Sequence, residues 1–301
     1  MRRWPVAAAA AATALGLALT SAQPAALPQL GPGTVINDGY GDYVYVPAGS
    51  FLMGDNVGDG DPRERPVHEV DIGAFYIGRV EMSNGEWRRF RDDPGYDNPR
   101  YWPDGRAVPK DQVPYWMQVN NHGGGTPDSD AYPVLGVNWD SATAYAAWLS
   151  EKTGHTYRLP TEAEWEKAAR GTDQRRYPWG NTITRAHANY VGAQPYDTGR
   201  PVGFFDGTRQ GDLQTISNAS PYGALDMAGN VMEWVQDWYD RDYYSRSPRD
   251  NPEGPETGSY RVVRGGTFFV EAFDLRSSAR SAASPSFQAH RMIGFRLVRE
   301  P

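Results

Sequence analysis

Two carboxylates in the last third of the chain have a spacing suited to cation chemistry. Asp226 and Glu233 are seven residues apart, and Gly229 between them permits a tight bend. Such a bend lets the backbone carbonyls of Gly229 and Val231 point to the side of the carboxylates. Calcium prefers six to eight oxygen ligands of this mixed type. The spacing therefore favours a structural calcium site. The alternative is that both carboxylates only hydrogen-bond their own loop.

A second segment, residues 267–291, combines aromatic side chains with a few charges. Aromatic anchors beside isolated charged groups are typical of surfaces that bind a peptide, a protein or a small aromatic ligand. The predicted ligand-binding residues are Phe269, Glu271, Phe273, Arg276, Arg280 and His290. Among them, Glu271, Arg280 and His290 are the candidates for a catalytic role. For Arg276 and Arg280 the alternative is stabilising ion pairing, and one of Phe268 and Phe269 is expected in the core.

The number of cysteines and the spacing of the histidines limit the chemistry that the chain can perform. The chain has no cysteine, which excludes disulfides, thiolate metal ligands and thiol nucleophiles. None of its five histidines has the spacing of a metal site. His122, in a glycine-rich loop, and His290, before the last strand, are retained as functional candidates. His68 lies in a strand pattern and is expected to be structural.

The overall composition indicates a globular, loop-rich protein. Of the 301 residues, 39% are hydrophobic and 13% aromatic, which is enough for a sizeable core. The 33 glycines and 24 prolines favour short elements joined by loops over a helical bundle. A net charge of −7 with scattered basic residues argues against a nucleic-acid partner.

The N-terminus has the pattern of a secretory signal peptide. Two arginines precede an apolar, alanine-rich stretch, and small residues follow it, so residues 1–22 are predicted to be removed on export. An uncleaved anchor is the alternative, although the stretch is short for a membrane span. Residues 23–40 are predicted to be a linker and residues 41–301 the folded domain. The mature protein is then expected to be secreted or periplasmic, without a membrane span.

Capping patterns predict the helices that would position these residues. Capping boxes predict helices that begin after Ser83 and Thr161, and Asp140 is predicted to cap a third helix that stops at Gly154. Residues 91–133 are rich in proline, glycine and aspartate, and they are predicted to form a long surface insertion at the edge of a cleft. Strands, helices, long loops and further strands follow in order, which favours an α+β fold.

Several motifs occur together along residues 43–299. They are Val-Pro-Ala-Gly-Ser-Phe-Leu-Met-Gly (46–54), Glu-Arg-Pro-Val-His-Glu-Val (64–70), Pro-Val-Leu-Gly-Val-Asn-Trp (133–139), Tyr-Arg-Leu-Pro-Thr-Glu-Ala-Glu-Trp-Glu (157–166), Tyr-Pro-Trp-Gly (177–180), Gly-Asn-Val-Met-Glu-Trp (229–234), Arg-Gly-Gly (264–266) and Gly-Phe-Arg (294–296). In this set the chain resembles the formylglycine-generating enzyme family, also called the sulfatase-modifying-factor domain. The resemblance implies a C-type-lectin-like α+β fold.

The resemblance stops at the redox centre. In that family a cysteine pair after the Gly-Gly-Ser segment binds copper(I) and oxidises a cysteine of sulfatases with oxygen. Here Val270 stands where the first cysteine would lie, and residues 271–279 contain no cysteine. Copper(I) is a soft ion that needs thiolate or thioether ligands. Copper-dependent formylglycine generation is therefore not expected, and the sequence assigns no other redox metal.

The resemblance also implies calcium ligands and a substrate groove. It gives one ion to the residues already considered, Asp226, Gly229, Val231 and Glu233. A second ion site begins at Asn189 and Tyr190, where Asp197 is the nearest acidic partner. In family members the segment that matches residues 267–291 forms the floor of the substrate groove.

Two functions are left open by the sequence. The first is an exported, divergent oxidoreductase that lacks the catalytic cysteines and acts on a peptide or aromatic substrate. Exported relatives without the cysteine pair are implicated in the maturation of siderophore chromophores, which is an oxidation of an aromatic peptide. The second is a non-catalytic module that binds a ligand or a protein on the lectin-like fold.

Overall fold

The structure is a computed structural model, and it describes residues 30–110, 129–191, 198–286 and 292–301. Residues 31–301 belong to one unit. The predicted signal peptide, His122, Asp197 and His290 lie outside the described residues. Within the described residues, none of the helices has both the length and the apolar character that crossing a bilayer requires.

Short strands and three α-helices make up the regular structure of the described residues. The helices are α1 (Asn84–Arg91), α2 (Trp139–Thr153) and α3 (Glu162–Arg170). The strands are β1 (Val35–Asn37), β2 (Asp42–Val46), β3 (Gly49–Met53), β4 (His68–Ile72), β5 (Phe75–Gly78), β6 (Tyr157–Arg158), β7 (Arg209–Gln210), β8 (Leu213–Gln214), β9 (Met232–Trp238), β10 (Arg261–Arg264), β11 (Ser281–Ala283), β12 (Ile293–Phe295) and β13 (Val298–Arg299). The predicted loop-rich α+β class is confirmed.

The strands form two small sheets and two hairpins. The five-stranded sheet has the order β1-β2-β5-β13-β6, and the four-stranded sheet has the order β11-β10-β9-β12. In the second sheet β12 runs parallel to β9, whereas β10 is antiparallel to both of its neighbours. The hairpins are β3-β4 and β7-β8. Only two residues separate β12 from β13, although the two strands belong to different sheets.

The first strand lies inside the segment that the sequence suggested was a linker. Val35 pairs with Val44, and Asn37 pairs with Asp42, in an antiparallel ladder. Residues 35–37 therefore belong to the five-stranded sheet, and the folded part of the chain includes residues before position 41. Because proline and glycine are frequent on either side of this short strand, the composition of the segment predicted a linker instead of a strand.

The helix ends follow from side-chain caps. Ser83 and Thr161 each accept a hydrogen bond from the third helical residue, and both predicted capping boxes are confirmed. The predicted cap of α2 was wrong by two residues, because Asn138 rather than Asp140 accepts the hydrogen bond from the Ser141 amide, at 2.8 Å. The helix ends as expected, since Gly154 adopts the left-handed conformation with φ of 75°.

One apolar cluster joins both sheets to α3. It includes Val44 of β2, Ile77 of β5, Trp165 of α3, Val235 of β9 and Val298 of β13, all of them buried. Because a single core connects these elements, α3 and the two sheets are held as one body around the loops that follow β10.

Aromatic rings fill a second packed region between α1 and α2. Phe90 lies 5.5 Å from Trp148 and 6.0 Å from Trp102, measured between ring centroids. Tyr96 and Trp102 are buried, and the Trp102 indole donates to the Tyr96 carbonyl at 2.9 Å. The described first part of the predicted surface insertion, residues 91–110, is mostly at the surface, but its rings Tyr96, Tyr101 and Trp102 complete the core beside α1. Residues 111–128 of this prediction lie outside the described residues.

Candidate functional site

A cavity of about 330 Å³ opens where the turn after β10 meets the short 3-10 helix Pro62–Glu64. Its lining includes Gly265, Gly266, Val270, Phe273, Asp274 and Arg280. The cavity lies on the predicted ligand-binding segment. A concave site with apolar and charged groups on its wall is the usual form of a small-ligand pocket.

The two glycines of the Arg-Gly-Gly motif are needed for the shape of this cavity. Gly265 and Gly266 have φ of 92° and 71°, in the left-handed region that favours glycine. A Cβ on Gly266 would lie 2.9 Å from both the Asp274 carbonyl oxygen and a methyl group of Leu275. The glycine pair therefore lets the 3-10 helix Ala272–Leu275 lie directly against the end of β10.

Arg276 is buried in an ion pair. Its Nη1 and Nη2 donate to the two carboxylate oxygens of Glu64 at 2.6 and 2.8 Å, and Ser278 donates to the same carboxylate at 2.9 Å. Both charged side chains are only 2% exposed. Arg276 therefore matches the alternative of stabilising ion pairing, and it fixes the 3-10 helix Pro62–Glu64 at the cavity.

Arg280 and Arg264 share the carboxylate of Glu162. Arg280 donates to Glu162 through Nε and Nη2 at 2.6 and 2.7 Å, and Arg264 approaches the same group at 3.2 Å. Burial alone would raise the pKa of Glu162, but the two arginines outweigh it and hold this pKa below its ordinary value. Arg280 thus lines the cavity while its charge is neutralised within the protein.

The predicted aromatic residues divide into core and surface. Phe268 is 1% exposed, whereas Phe269 and Phe273 are 48% and 42% exposed. Glu271 is exposed beside them. Phe273 lies on the cavity wall, and the Arg276 guanidinium carbon lies 4.0 Å from the centre of its ring. The structure thus brings Phe273 and Arg276 into contact, and His290 lies outside the described residues.

Glu233 and Asp226 are bonded to protein groups. Both oxygens of Glu233 accept from Arg296 at 2.7 Å, and the Trp165 indole donates to the carboxylate at 2.8 Å. Asp226 accepts from the Asn218 amide at 2.8 Å and from the Gly203 amide at 2.6 Å. These partners, at positions 165, 203, 218 and 296, lie outside the 226–233 loop, so the two carboxylates connect this loop to other segments rather than bonding only within it. As placed, each oxygen of this pair already accepts at least one hydrogen bond from a protein donor.

The backbone of the same loop is closely packed against neighbouring loops. The Gly229 amide donates to the Gly265 carbonyl at 2.8 Å, and Gly229 has φ of 84°, so the predicted tight bend is present. Val231 is fully buried. Within the residues that the structure covers, no group of three or more histidine, aspartate or glutamate side chains is placed to hold a metal.

Asn189 offers a better fit to a cation than the 226–233 loop. Its side-chain amide donates to the Thr198 carbonyl at 2.8 Å, whereas its Oδ1 is buried without a hydrogen-bond partner. A buried acceptor without a donor is costly unless an ion or water satisfies it. Asn189 and the half-buried Tyr190 are therefore the residues that would hold an ion at the second predicted position, although Asp197 lies outside the described residues.

The sequence analysis missed the carboxylates that organise the site. Glu64, Glu162 and Glu166 bind the three arginines of the site, and all three carboxylates are buried. The sequence did contain a clue to these carboxylates, because all three belong to family motifs. Glu64 is the first residue of one motif, and Glu162 and Glu166 lie in another. Spacing alone gave no way to pair them with arginines about 100 to 210 positions away.

These features define the structural class of the protein. In the part of the chain that the structure describes, two small sheets, three capped helices and a cavity at a glycine-pair turn form a loop-rich α+β protein of the formylglycine-generating enzyme type. The profile of the sulfatase-modifying factor enzyme 1-like domain matches residues 34–301. The chain belongs to this family, as its motifs predicted.

Individual relatives agree with this assignment. A formylglycine-generating enzyme of Thermomonospora curvata is 37% identical over 295 residues, which span 86% of this chain and 93% of that protein. A hercynine oxygenase of Mycolicibacterium smegmatis is 36% identical over 271 residues, spanning 81% of this chain and 58% of that protein. The solved structure of PvdO from Pseudomonas aeruginosa superimposes with a TM-score of 0.68 at 28% identity, covering 90% of this chain and all of that one. The predicted fold is confirmed.

Proposed function

We propose that this chain is an exported, divergent oxidoreductase of its family that binds a peptide or aromatic substrate at the cavity beside Gly265 and Gly266. The observation that carries the proposal is the position of Phe273, an exposed ring on the wall of this cavity. Exposed aromatic rings at concave sites are characteristic anchors for ligands.

The ring of Phe273 packs against the guanidinium of Arg276, whose position is fixed by an ion pair. Arg276 lies 4.0 Å from the ring centre, and Glu64 holds both of its terminal nitrogens. The guanidinium therefore cannot move without breaking a buried ion pair. A ring held in place in the free protein loses little conformational freedom on binding, which favours recognition of a planar or aromatic group.

Charged side chains at the rim of the cavity determine which ligand charge this aromatic surface favours. Glu271 and Asp274 are exposed beside Phe273, whereas Arg264, Arg276 and Arg280 are engaged by carboxylates. Arg63 and Asp61, which also line the cavity and are partly exposed, pair with each other at 3.5 Å, so the net accessible charge at the rim is acidic. A peptide or aromatic amine that carries a positive charge would be favoured over an anionic one.

Copper(I) does not fit the wall of this cavity in the manner of the family. The side chain of Val270 lines the cavity where the first family cysteine would be and has no metal-binding atom, and the Met232 thioether on the same wall would supply one sulfur ligand rather than the family's pair. No reaction step is therefore assigned to copper. The residues of the chain bind and orient the substrate, and a redox partner other than a cysteine-bound metal supplies any oxidation.

Substrate assays with matched peptides test the proposal. An aromatic, lysine-containing peptide should bind the purified protein, and Phe273→Ala should weaken binding by about tenfold. A sulfatase peptide with its target cysteine should give no oxygen consumption. Turnover of that cysteine, or binding that is unchanged by Phe273→Ala, would contradict the proposal. Export is tested separately by N-terminal sequencing of protein recovered outside the cytoplasm, which should begin near residue 23.

A non-catalytic binding module is the second candidate. It is favoured by the neutralised state of the arginines at the cavity, because groups tied in buried ion pairs are structural rather than reactive. Elemental analysis of the purified protein distinguishes the two functions. One redox metal per chain supports the oxidoreductase, whereas calcium alone supports the binding module.

A further inference from the structure

A second cavity, of about 320 Å³, shares no lining residue with the first. It lies between α2 and the strands β6, β9 and β10. Trp139, Ala146, Ala147 and Leu159 form its apolar wall. Its polar groups include Gln236 and Arg261. The proposed function makes no use of this cavity.

The guanidinium of Arg261 is clamped between two indole rings. Its central carbon lies 3.7 Å from the ring centre of Trp139 and 3.5 Å from that of Trp238. Trp238 is placed by the sheet, since it pairs with Arg261 across β9 and β10. Trp139 is fixed by its indole nitrogen, which donates to the Val235 carbonyl at 2.9 Å. The plane of the guanidinium is therefore set before any ligand binds.

The positive charge of Arg261 is not neutralised by a contact in the described part of the chain. Its Nη1 donates to the Gln236 carbonyl at 2.6 Å, and its Nε is buried without a partner. No carboxylate there forms a salt bridge with it. Burial lowers the pKa of Arg261 to about 10, and it outweighs the opposing attraction of the Asp140 and Asp237 carboxylates, neither of which forms a salt bridge with the guanidinium. Arg158, the other arginine of the cavity, is instead bound at 2.7 Å through two nitrogens to Glu164.

We propose that this second cavity binds a carboxylate attached to an apolar group. Arg261 would donate to the carboxylate, and the Trp139, Ala147 and Leu159 wall would contact the apolar part. A planar guanidinium is suited to two-point binding of a carboxylate. A single cation that forms no salt bridge in the described residues, with Asp140 and Asp237 as its nearest recorded acidic influences, matches a monoanion better than a phosphate dianion. The same chemistry is offered by a small free acid or by the C-terminal carboxylate of a peptide.

Binding of a matched pair of small molecules tests the proposal. Phenylacetate should bind the full protein and change the tryptophan fluorescence, because two indoles flank Arg261. Phenylacetamide has the same shape without the charge, and it should bind at least about tenfold more weakly. A dipeptide that ends in phenylalanine, tested as the free acid and as the amide, shows whether the carboxylate comes from a peptide C-terminus or from a small acid. Tighter binding of the peptide acid indicates a chain terminus, and tighter binding of phenylacetate indicates a small acid; both support the site.

Two variants locate the binding. Arg261→Gln should weaken binding of phenylacetate by about tenfold or more. Ala147→Leu should weaken it by filling the cavity while leaving the arginine between its indoles, so the test remains valid if Arg261→Gln does not fold. Ala131→Leu, an exposed position in neither cavity, is the matched control and should bind normally. The proposal is overturned if acid and amide bind equally, if neither binds up to about 10 mM, or if Ala147→Leu binds phenylacetate like the control.

Discussion

Glu233 and Arg296 form a two-point ion pair in the core, with both of its N–O distances at 2.7 Å. The residues are 63 positions apart, and each belongs to a motif of the family. Two further N–H groups of Arg296 donate to the Gly78 and Leu225 carbonyls at 3.0 Å. The pair thus joins β9, the end of β5 and the loop before Asp226.

Breaking this ion pair should destabilise the fold strongly. Arg296→Met leaves the Glu233 carboxylate buried without its counter-charge, and we expect a loss of about 3–5 kcal/mol in the free energy of unfolding. Arg246→Ala removes an exposed partner of Asp240 and should cost less than about 1 kcal/mol. Urea denaturation of both variants measures the difference. Equal losses would show that burial of the 233–296 pair is not what matters.

Neighbouring phenylalanines should behave in opposite ways. Phe268→Ala removes a buried ring and should cost about 3–5 kcal/mol of stability. Phe269→Ala removes an exposed ring and should leave the unfolding midpoint nearly unchanged, while weakening binding of an aromatic peptide. Thermal melting and peptide titration of the two variants test this. A large stability loss in Phe269→Ala would contradict the division of the segment into core and surface.

Asp55 should contribute stability that is lost in acid. Burial alone would raise the pKa of its carboxyl, but hydrogen bonds from Arg65 and from the amides of Gly60, Gly58 and Val57 outweigh this and lower the pKa to about 2. A folded-state pKa below the unfolded value stabilises the protein once the pH exceeds the unfolded value near 4. The stability difference between wild type and Asp55→Asn should be constant above about pH 5 and should shrink between about pH 4 and pH 2. A difference independent of pH over this range would contradict the shift.

Calcium should stabilise the protein through Asn189. We expect added calcium to raise the melting temperature of the wild type and not that of Asn189→Ala, because Oδ1 is the buried acceptor without a partner. Glu233→Ala should lower the melting temperature with and without calcium, since it breaks the Arg296 ion pair. Only the change on adding calcium is therefore informative. A rise that survives in Asn189→Ala and disappears in Asp226→Ala would assign the ion to the 226–233 loop instead.

Local signals in the sequence predicted much of the secondary structure. The capping boxes at Ser83 and Thr161 marked two helix starts correctly, because a cap depends on residues only three positions apart. The α2 cap was misplaced because Asn138 and Asp140 are both good capping residues, and the choice between them is made by the surrounding packing. Strand β1 was missed because three residues hold too little pattern to be distinguished from a linker.

The candidate site was harder to predict because its contacts are distant in sequence. Aromatic character singled out the segment of Phe269 and Phe273, both of which are exposed, and for Arg276 and Arg280 it left ligand binding and ion pairing open. Their carboxylate partners lie 212 and 118 positions away, and pairing over such separations is set by the tertiary fold. The separation of β12 and β13 into different sheets was likewise beyond any local pattern.

The short connection between β12 and β13 has a consequence for how the molecule folds and unfolds. One brief segment supplies an edge strand of the four-stranded sheet and an inner strand of the five-stranded sheet. Detaching it would open both sheets together, so the described unit should melt in a single cooperative step. Its partner strands come from distant parts of the sequence, so refolding should be slow compared with that of a protein whose contacts are mainly local.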